Sequence, residues 1–264
     1  MLNPFINVWK SKINANADKI IIVLFLTLCY ATTHYKILYL SDAVYWDDWV
    51  ILGVNLETLL ACFEPVGIMF NWPAYLHFFI QWMGFNYSLL TFAFYFLAGA
   101  VLYQINREQL CLSNGCCMAI TLLFYLLPLN FARVAATNFT YIFCLTVFFI
   151  GWYFIRRSRF LSIIFFMVSF GANQFLMLFA IPVLVNFQHM FQRAVWSVKE
   201  SAKLAVFLGI PFIYFSFENL FFPSSLYNIF DAGTAYNNAV NSYFVMAVFF
   251  KEIITFKYTD LQFF

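Results

Sequence analysis

Charged residues are scarce in this chain. Lys, Arg, Asp and Glu make up 10% of its 264 residues, against about a quarter in an ordinary soluble domain. The net charge is only +2, and the basic residues lie at the ends of apolar runs rather than in one patch, so nucleic acid is not an expected partner. Low charge combined with 64% hydrophobic residues and a mean hydropathy of +0.81 predicts an integral membrane protein.

Several motifs of soluble enzymes are also missing. The sequence has no Gly-rich phosphate loop and no HExxH, CxxC or GxSxG pattern. Its apolar runs carry no charge pairs of the kind that ion pumps use. Most of the six cysteines lie inside apolar runs, so we expect no disulfide framework. These absences argue against the common soluble-enzyme chemistries and against ion pumping.

Apolar runs recur along the chain. A membrane span needs roughly 20 mostly apolar residues, and we predict spans near 20–40, 86–105, 116–130, 136–155 and 203–222. The run at 160–190 is too long for one crossing, so we interpret it as two helices joined by a tight turn at Gly171, with a single kinked helix as the alternative. The sequence therefore predicts an all-α integral membrane protein of about seven or eight transmembrane helices.

We interpret residues 1–264 as a single transmembrane domain. Residues 1–19 form a short polar N-terminus, 41–85 an external loop with amphipathic surface helices, and 223–264 an external tail or an eighth helix near 240–254. A cleaved signal peptide is the competing interpretation of 20–40, but that run is long and has no clear small-x-small cleavage pattern. We therefore expect it to be a retained helix.

The basic residues predict the orientation of the chain in its membrane. With seven spans, ten of the 14 basic residues fall on one side, namely Lys10, Lys12, Lys19, Arg107, Arg156, Arg157, Arg159, Arg193, Lys199 and Lys203. Lys36, Arg133, Lys251 and Lys257 remain for the other side. This split predicts a multi-pass protein of a cell membrane with a cytoplasmic N-terminus.

Acidic residues gather just after the first apolar run, in the stretch "YLSDAVYWDDWVIL" at 39–52. Asp42, Asp47 and Asp48 lie in this stretch, and Trp46 and Trp49 flank the adjacent pair. Paired carboxylates at a membrane face can bind a metal ion or act as a general base, and tryptophans hold the backbone at headgroup depth. In the alternative, one acid of the pair caps a following helix "WVILGVNLETLLACF". Residue types alone leave both interpretations open.

Other polar residues at the predicted outer face are candidate ligands. An arginine as near to hydrocarbon as Arg133 usually faces a cavity or a partner, and a guanidinium binds phosphate in a bidentate fashion. A lipid headgroup is the alternative partner for Arg133, and Lys36 either binds the same phosphate or snorkels to the interface. His77, Glu64 and Glu218 are candidate supporting residues, together with Asp42. His77 is equally open to a purely structural role.

This arrangement resembles the GT-C superfamily of membrane glycosyltransferases. In that superfamily a first span is followed by an external loop with an acidic motif and surface helices, and then by a bundle of about seven spans. The segment "YWDDW" resembles the DD, DE or ED loop motif, and "FGANQFLMLFAIPVL" resembles the helix-turn-helix before a proline-containing span. The resemblance covers about residues 15–222. Many members carry further spans and a soluble external domain, so this chain resembles a short or truncated member.

The resemblance implies an inverting, hexosyltransferase-like enzyme of the bacterial inner membrane that acts on cell-surface polysaccharide or lipid-linked glycan. The sugar would pass from a polyprenyl-phosphate donor in the lipid bilayer to a glycan or lipid-linked acceptor on the external face. Asp47 or Asp48 would be the catalytic base, with or without a divalent metal ion held by the same two acids. The departing lipid phosphate needs positive charge, for which Arg133 is the first candidate and Lys36 the second.

A non-enzymatic protein is the alternative function. In a polysaccharide or lipid transporter, a flippase or an assembly subunit, the same acids would line a substrate path or bind a partner. A transporter needs a polar path across the membrane, and few polar residues occur near the middle of the predicted spans. An enzyme needs Asp47 or Asp48 and Arg133 to converge on one outward cavity.

Overall fold

The computed structural model describes residues 20–35, 38, 48–126, 136–172, 174–193 and 198–223. All regular elements in these ranges are helices, and no strand occurs among them. The prediction of an all-α fold is therefore confirmed for the described part of the chain. The N-terminal residues 1–19 and the proposed eighth helix near 240–254 lie outside it.

The described part of the chain is made of successive α-helices. In chain order they are α1 (Ile20–Tyr35), α2 (Asp48–Ile51), α3 (Leu56–Phe63), α4 (Trp72–Trp82), α5 (Tyr87–Glu108), α6 (Asn114–Leu126), α7 (Phe139–Phe154), α8 (Arg159–Ser169), α9 (Gln174–Leu178), α10 (Ala180–Arg193) and α11 (Val198–Phe221). A 3-10 turn, Ala136–Asn138, leads directly into α7. The region 160–190 thus contains separate helices, with the break after α8 at Phe170–Ala172.

Within the described ranges, three helices are long and apolar enough to cross a membrane, namely Tyr87–Glu108, Ala136–Phe154 and Ser201–Phe221. Apolar helices also occur at the other predicted positions, but they are shorter: Ile20–Tyr35, Asn114–Leu126, Arg159–Ser169 and Gln174–Gln188. An 11-residue helix such as α8 rises only about 16 Å, less than the roughly 30 Å of a hydrocarbon core. The prediction of seven or eight spans is therefore not confirmed.

Residues 48–85, the described part of the region predicted as an external loop, contain three short α-helices and two 3-10 turns. The single helix considered for "WVILGVNLETLLACF" is wrong, because α2 ends at Ile51 and Gly53 follows with a φ of 74°. A new helix starts at α3, where the side-chain oxygen of Asn55 accepts a hydrogen bond from the backbone N–H of Thr58 (2.9 Å). The helical content of this loop agrees with the expectation, and its place at a membrane surface remains a prediction.

Two of the long helices, α5 and α7, pack against each other, and α8 also packs against α7. The main core lies between α7, α8, α10 and α11 and consists largely of phenylalanine rings, including Phe148, Phe166, Phe170, Phe179 and Phe207. These rings meet mostly edge to face or tilted, which is the favoured geometry for aromatic pairs. The 23% aromatic content is thus explained by an interior built of rings.

Buried tyrosines join α1, α5 and α6. Tyr30 on α1 donates its phenol hydrogen to the carbonyl of Phe92 (2.7 Å), and Tyr125 on α6 donates to the carbonyl of Phe96 (2.8 Å). The Tyr95 phenol on α5 donates to the carbonyl of Phe124 on α6. Gly99 makes the α5–α6 approach possible, because a Cβ there would lie 2.2 Å from the Tyr125 ring.

An arginine network closes the end of the bundle opposite to α2–α4. The Arg156 guanidinium donates to the carbonyls of Glu108 and Gln109 at the end of α5 and to the Asn186 side chain of α10. Arg157 forms an ion pair with the Glu108 carboxylate at 2.8 Å. Cations at a helix C-terminus complement the helix dipole, so this network stabilises the end of α5 and joins it to the residues after α7 and to the middle of α10.

Candidate functional site

A cavity of about 550 Å³ lies where the acidic loop region meets the bundle. Its walls come from three places in the sequence: the loop segments around α2 and α3, the start of α7, and the turn after α8. The lining residues are Val50, Ile51, Cys62, Phe63, Val66, Ile68, Thr137, Asn138, Thr140, Tyr141, Gly171, Ala172 and Gln174. Hydroxyl and amide groups from the start of α7 and from Gln174 give the cavity a polar part, and the loop contributes mostly apolar walls.

Asp48 lies behind one wall of this cavity. It is the first residue of α2 and its side chain is buried, with 1% of its surface exposed. One carboxylate oxygen accepts hydrogen bonds from the Thr137 backbone N–H (3.0 Å) and from the Thr137 hydroxyl (3.3 Å). Asp48 therefore caps the 3-10 turn that leads into α7, a capping role that one interpretation of the sequence had placed at the helix following Asp48.

His77 is fully buried on α4 and lies behind the same wall. Its Nδ1 atom lies 2.9 Å from the Tyr87 phenol oxygen, and its Nε2 atom lies 3.0 Å from the Thr140 hydroxyl oxygen. Burial lowers the pKa of His77 to about 4, against the opposing effect of the Asp48 charge. The imidazole is therefore neutral at physiological pH, with one nitrogen donating and the other accepting.

The pKa of His77 makes stability depend on pH. The unfolded chain takes up a proton near pH 6.5, whereas the folded chain resists protonation until about pH 4. The free energy of unfolding should therefore fall by about 3 kcal/mol as the pH drops from 6.5 to 4. Thermal melting of the purified protein across this range tests the expectation. The His77→Gln variant should lose this part of the pH dependence, and an identical slope in both proteins would contradict the assignment.

Trp72 closes the cavity region from the side of α4. A Cβ on Gly171 would lie 2.4 Å from the Trp72 indole Nε1 atom and 2.6 Å from its Cζ2 atom. The indole therefore rests directly on the backbone of the turn after α8, where only glycine leaves space. This contact joins the loop helices to the turn that lines the opposite wall.

Glu218 anchors the loop from the end of α11. Its side chain is 7% exposed, accepts a hydrogen bond from the Tyr214 phenol (3.3 Å) and bonds the backbone of Met69. Met69 follows Ile68, which lines the cavity, and precedes Phe70, whose φ of 56° lies in the left-handed region. Glu218, which the sequence suggested as a supporting residue, therefore holds this strained loop segment in place.

The other predicted site residues divide into two groups. Glu64 is exposed and does not line the cavity. Lys36, Asp42, Asp47 and Arg133 lie outside the described residues. Among the described residues no three His, Cys, Asp or Glu side chains come together as ligands for a metal ion, so a metal held by Asp47 and Asp48 stays a prediction.

Thr137 and Thr140 are the residues that sequence reasoning missed. They carry the contacts of Asp48 and His77 to the cavity wall, because each lines the cavity and bonds one of these side chains. The available signal was the polar cluster "ATNFT" at the start of an apolar run. Such a cluster reads as ordinary helix capping until the packing of α2 and α4 against it is known.

An apolar groove of about 420 Å³ is formed in part by residues that closely follow the cavity residue Gln174 in the sequence. It is lined by Leu176 and Met177 of α9 and by Pro211, Phe212 and Phe215 of α11. Helix α9 begins at Gln174, which lines the cavity, so the same short helix borders a polar and an apolar space.

No family model, curated protein or solved structure matches this chain.

Proposed function

We propose that this chain is a membrane glycosyltransferase that moves a sugar from a polyprenyl-phosphate donor to a glycan or lipid-linked acceptor. The observation that carries the proposal is the cavity in which the acidic loop, the start of α7 and the turn after α8 meet. The enzyme function requires Asp47 or Asp48 to reach one outward cavity, and the proposal is supported by a cavity that the acid-bearing loop lines. The proposal includes a multi-pass orientation with the cavity on the external face of the membrane.

The cavity has a lining that suits a sugar. Hydroxyl and amide groups of Thr137, Asn138, Thr140 and Gln174 lie beside aromatic and aliphatic walls, and the volume of about 550 Å³ is within the usual range for small-molecule sites. The apolar groove between α9 and α11 offers a binding surface for the lipid part of the donor. In the proposal the isoprenoid tail lies in this groove and the phosphosugar reaches the cavity around Gln174.

The two adjacent acids have different roles in the proposal. The Asp48 carboxylate is buried and engaged with Thr137, so it acts as a positioning residue that fixes the start of α7. Asp47 is then the candidate catalytic base. It takes the proton of the acceptor hydroxyl, whose oxygen attacks the anomeric carbon while the bond from that carbon to the lipid phosphate oxygen breaks. Direct attack inverts the anomeric centre, and Arg133 is the candidate for balancing the phosphate charge.

Glycan analysis of a strain that lacks this protein tests the proposal. Loss of one sugar branch from a surface polysaccharide or lipid-linked glycan, restored by the wild-type gene, is the expected result. Accumulation of a complete lipid-linked unit on the cytoplasmic side would instead indicate a transporter or flippase. An unchanged glycan profile together with unchanged lipid-linked intermediates would contradict both functions.

A further inference from the structure

The Thr140 hydroxyl lacks the intrahelical hydrogen bond that several helical threonines make. Thr33, Thr121 and Thr146 each donate to the carbonyl four residues earlier, at 2.8 Å, which is the usual arrangement for threonine in a helix. Thr140 makes no such bond within the described part of the chain, and its one hydrogen-bond neighbour there is His77. Thr140 is only 7% exposed, yet it lines the cavity.

The neighbours of His77 decide which way the Thr140 hydrogen points. The Tyr87 phenol lies within reach of two acceptors, Nδ1 of His77 at 2.9 Å and the His77 carbonyl oxygen at 3.3 Å. Nδ1 is the nearer of the two, and the carbonyl also accepts from the Gln81 amide (3.4 Å), so the Tyr87 O–H donates to Nδ1. A neutral imidazole that accepts at Nδ1 carries its proton at Nε2, so Nε2–H donates to the Thr140 oxygen. The Thr140 hydrogen is then left to donate into the cavity.

The donors beside Thr140 limit what this hydrogen can meet. The Thr137 N–H and hydroxyl, which a phosphate at the start of α7 would use, are both taken by Asp48. A neutral oxygen, such as a sugar hydroxyl, needs only the single donor that Thr140 offers. We propose that Thr140 is a sugar-binding residue of the cavity and that Tyr87 and His77 orient its hydroxyl for this purpose. This inference rests on the proposed function and adds which part of the donor lies against α7.

The test uses the full chain in neutral-lipid nanodiscs. The probes are a short polyprenyl phosphate and the same lipid carrying glucose, galactose or mannose. Thr140→Val should weaken binding of the best sugar-bearing lipid about three- to ten-fold, the effect of losing one neutral hydrogen bond, and leave binding of the sugar-free lipid unchanged. Thr140→Ser should bind like the wild type. Thr146→Val on the same helix is the matched control and should also bind like the wild type.

The role of Tyr87 is tested by a double-mutant cycle. Tyr87→Phe should weaken binding of the sugar-bearing lipid, and it should add no further loss when Thr140 is already valine. Selective ¹⁵N labelling should show His77 protonated at Nε2, with its signals identified by their loss in His77→Gln. Additive losses, or His77 protonated at Nδ1, would overturn the orienting role. These two readouts distinguish orientation of the hydroxyl from a merely structural effect on stability.

Two outcomes distinguish this inference from the proposed function. If the wild type prefers the sugar-bearing lipid but Thr140→Val binds it equally well, Thr140 is not a sugar ligand and the proposed function stands. If the valine variant loses both lipids equally, the contact is to phosphate and the sugar assignment is wrong. If the wild type binds neither lipid, both proposals fall together.

Discussion

Sugar transfer should fall about 100- to 10,000-fold when Asp47 is replaced by asparagine, the range expected for loss of a general base. Asp48→Asn should reduce transfer less. Its side-chain oxygen still accepts the Thr137 N–H, but the negative charge at the start of α7 is lost. Transfer is measured in membranes with the native acceptor, once glycan analysis has identified it. The double amide variant should have no measurable transfer.

The control for both substitutions is Glu57→Gln, which removes an exposed carboxylate from α3 in the same loop. This variant should transfer sugar at the wild-type rate. A wild-type rate of sugar transfer in the double Asp47/Asp48 amide variant would contradict the catalytic assignment. An equal, complete loss in Asp48→Asn alone would make Asp48 the base and would require its carboxylate to leave Thr137 during the reaction.

Among small substitutions near the site, within the described part of the chain, Gly171→Ala should be the most damaging. The added methyl carbon would overlap the rigid indole of Trp72, so α4 or the turn after α8 must shift. Overpacking of this kind costs about 1–3 kcal/mol, which corresponds to a Tm lower by roughly 3–10 °C. Because the same turn lines the cavity, activity should be lost as well.

A matched control for this substitution is Gly115→Ala in the first turn of α6. A Cβ there meets nothing within 4 Å, so the Tm should stay the same or rise slightly, because alanine favours the helix. Replacing Trp72 by phenylalanine in the Gly171→Ala protein removes the larger ring and should recover part of the Tm. A wild-type Tm and activity in Gly171→Ala would show that Trp72 does not hold the turn.

The sequence was sufficient to locate most helices, because apolar runs bounded by polar residues determine where a helix can lie. It was not sufficient for their boundaries: Gly53 ends α2 through a positive φ, and a new helix starts at Leu56. Local capping rules also allowed Asp48 to cap a helix but could not identify its partner Thr137, which lies 89 residues further along the chain. Such partners depend on tertiary packing, which no local pattern contains.

His77 illustrates the same division. Its presence in an aromatic helix was visible, and the sequence left its structural and supporting roles open. Only the meeting of α4, α5 and α7 shows that both ring nitrogens are engaged, with Tyr87 on one side and Thr140 on the other. Burial of this kind changes a residue from a pH-responsive group into a fixed hydrogen-bond connector, and the sequence alone does not reveal burial.

The phenol-to-carbonyl bonds around α5 have a consequence for biogenesis. If α1 enters a bilayer during synthesis, its Tyr30 hydroxyl can bond the Phe92 carbonyl only after α5 has been made, 62 residues later. The same holds between α5 and α6, whose tyrosines satisfy each other's backbones. Because a lone hydroxyl in hydrocarbon is costly, α1 should remain near the translocation machinery during synthesis. It should leave for the lipid together with α5 and α6, as one unit of three helices.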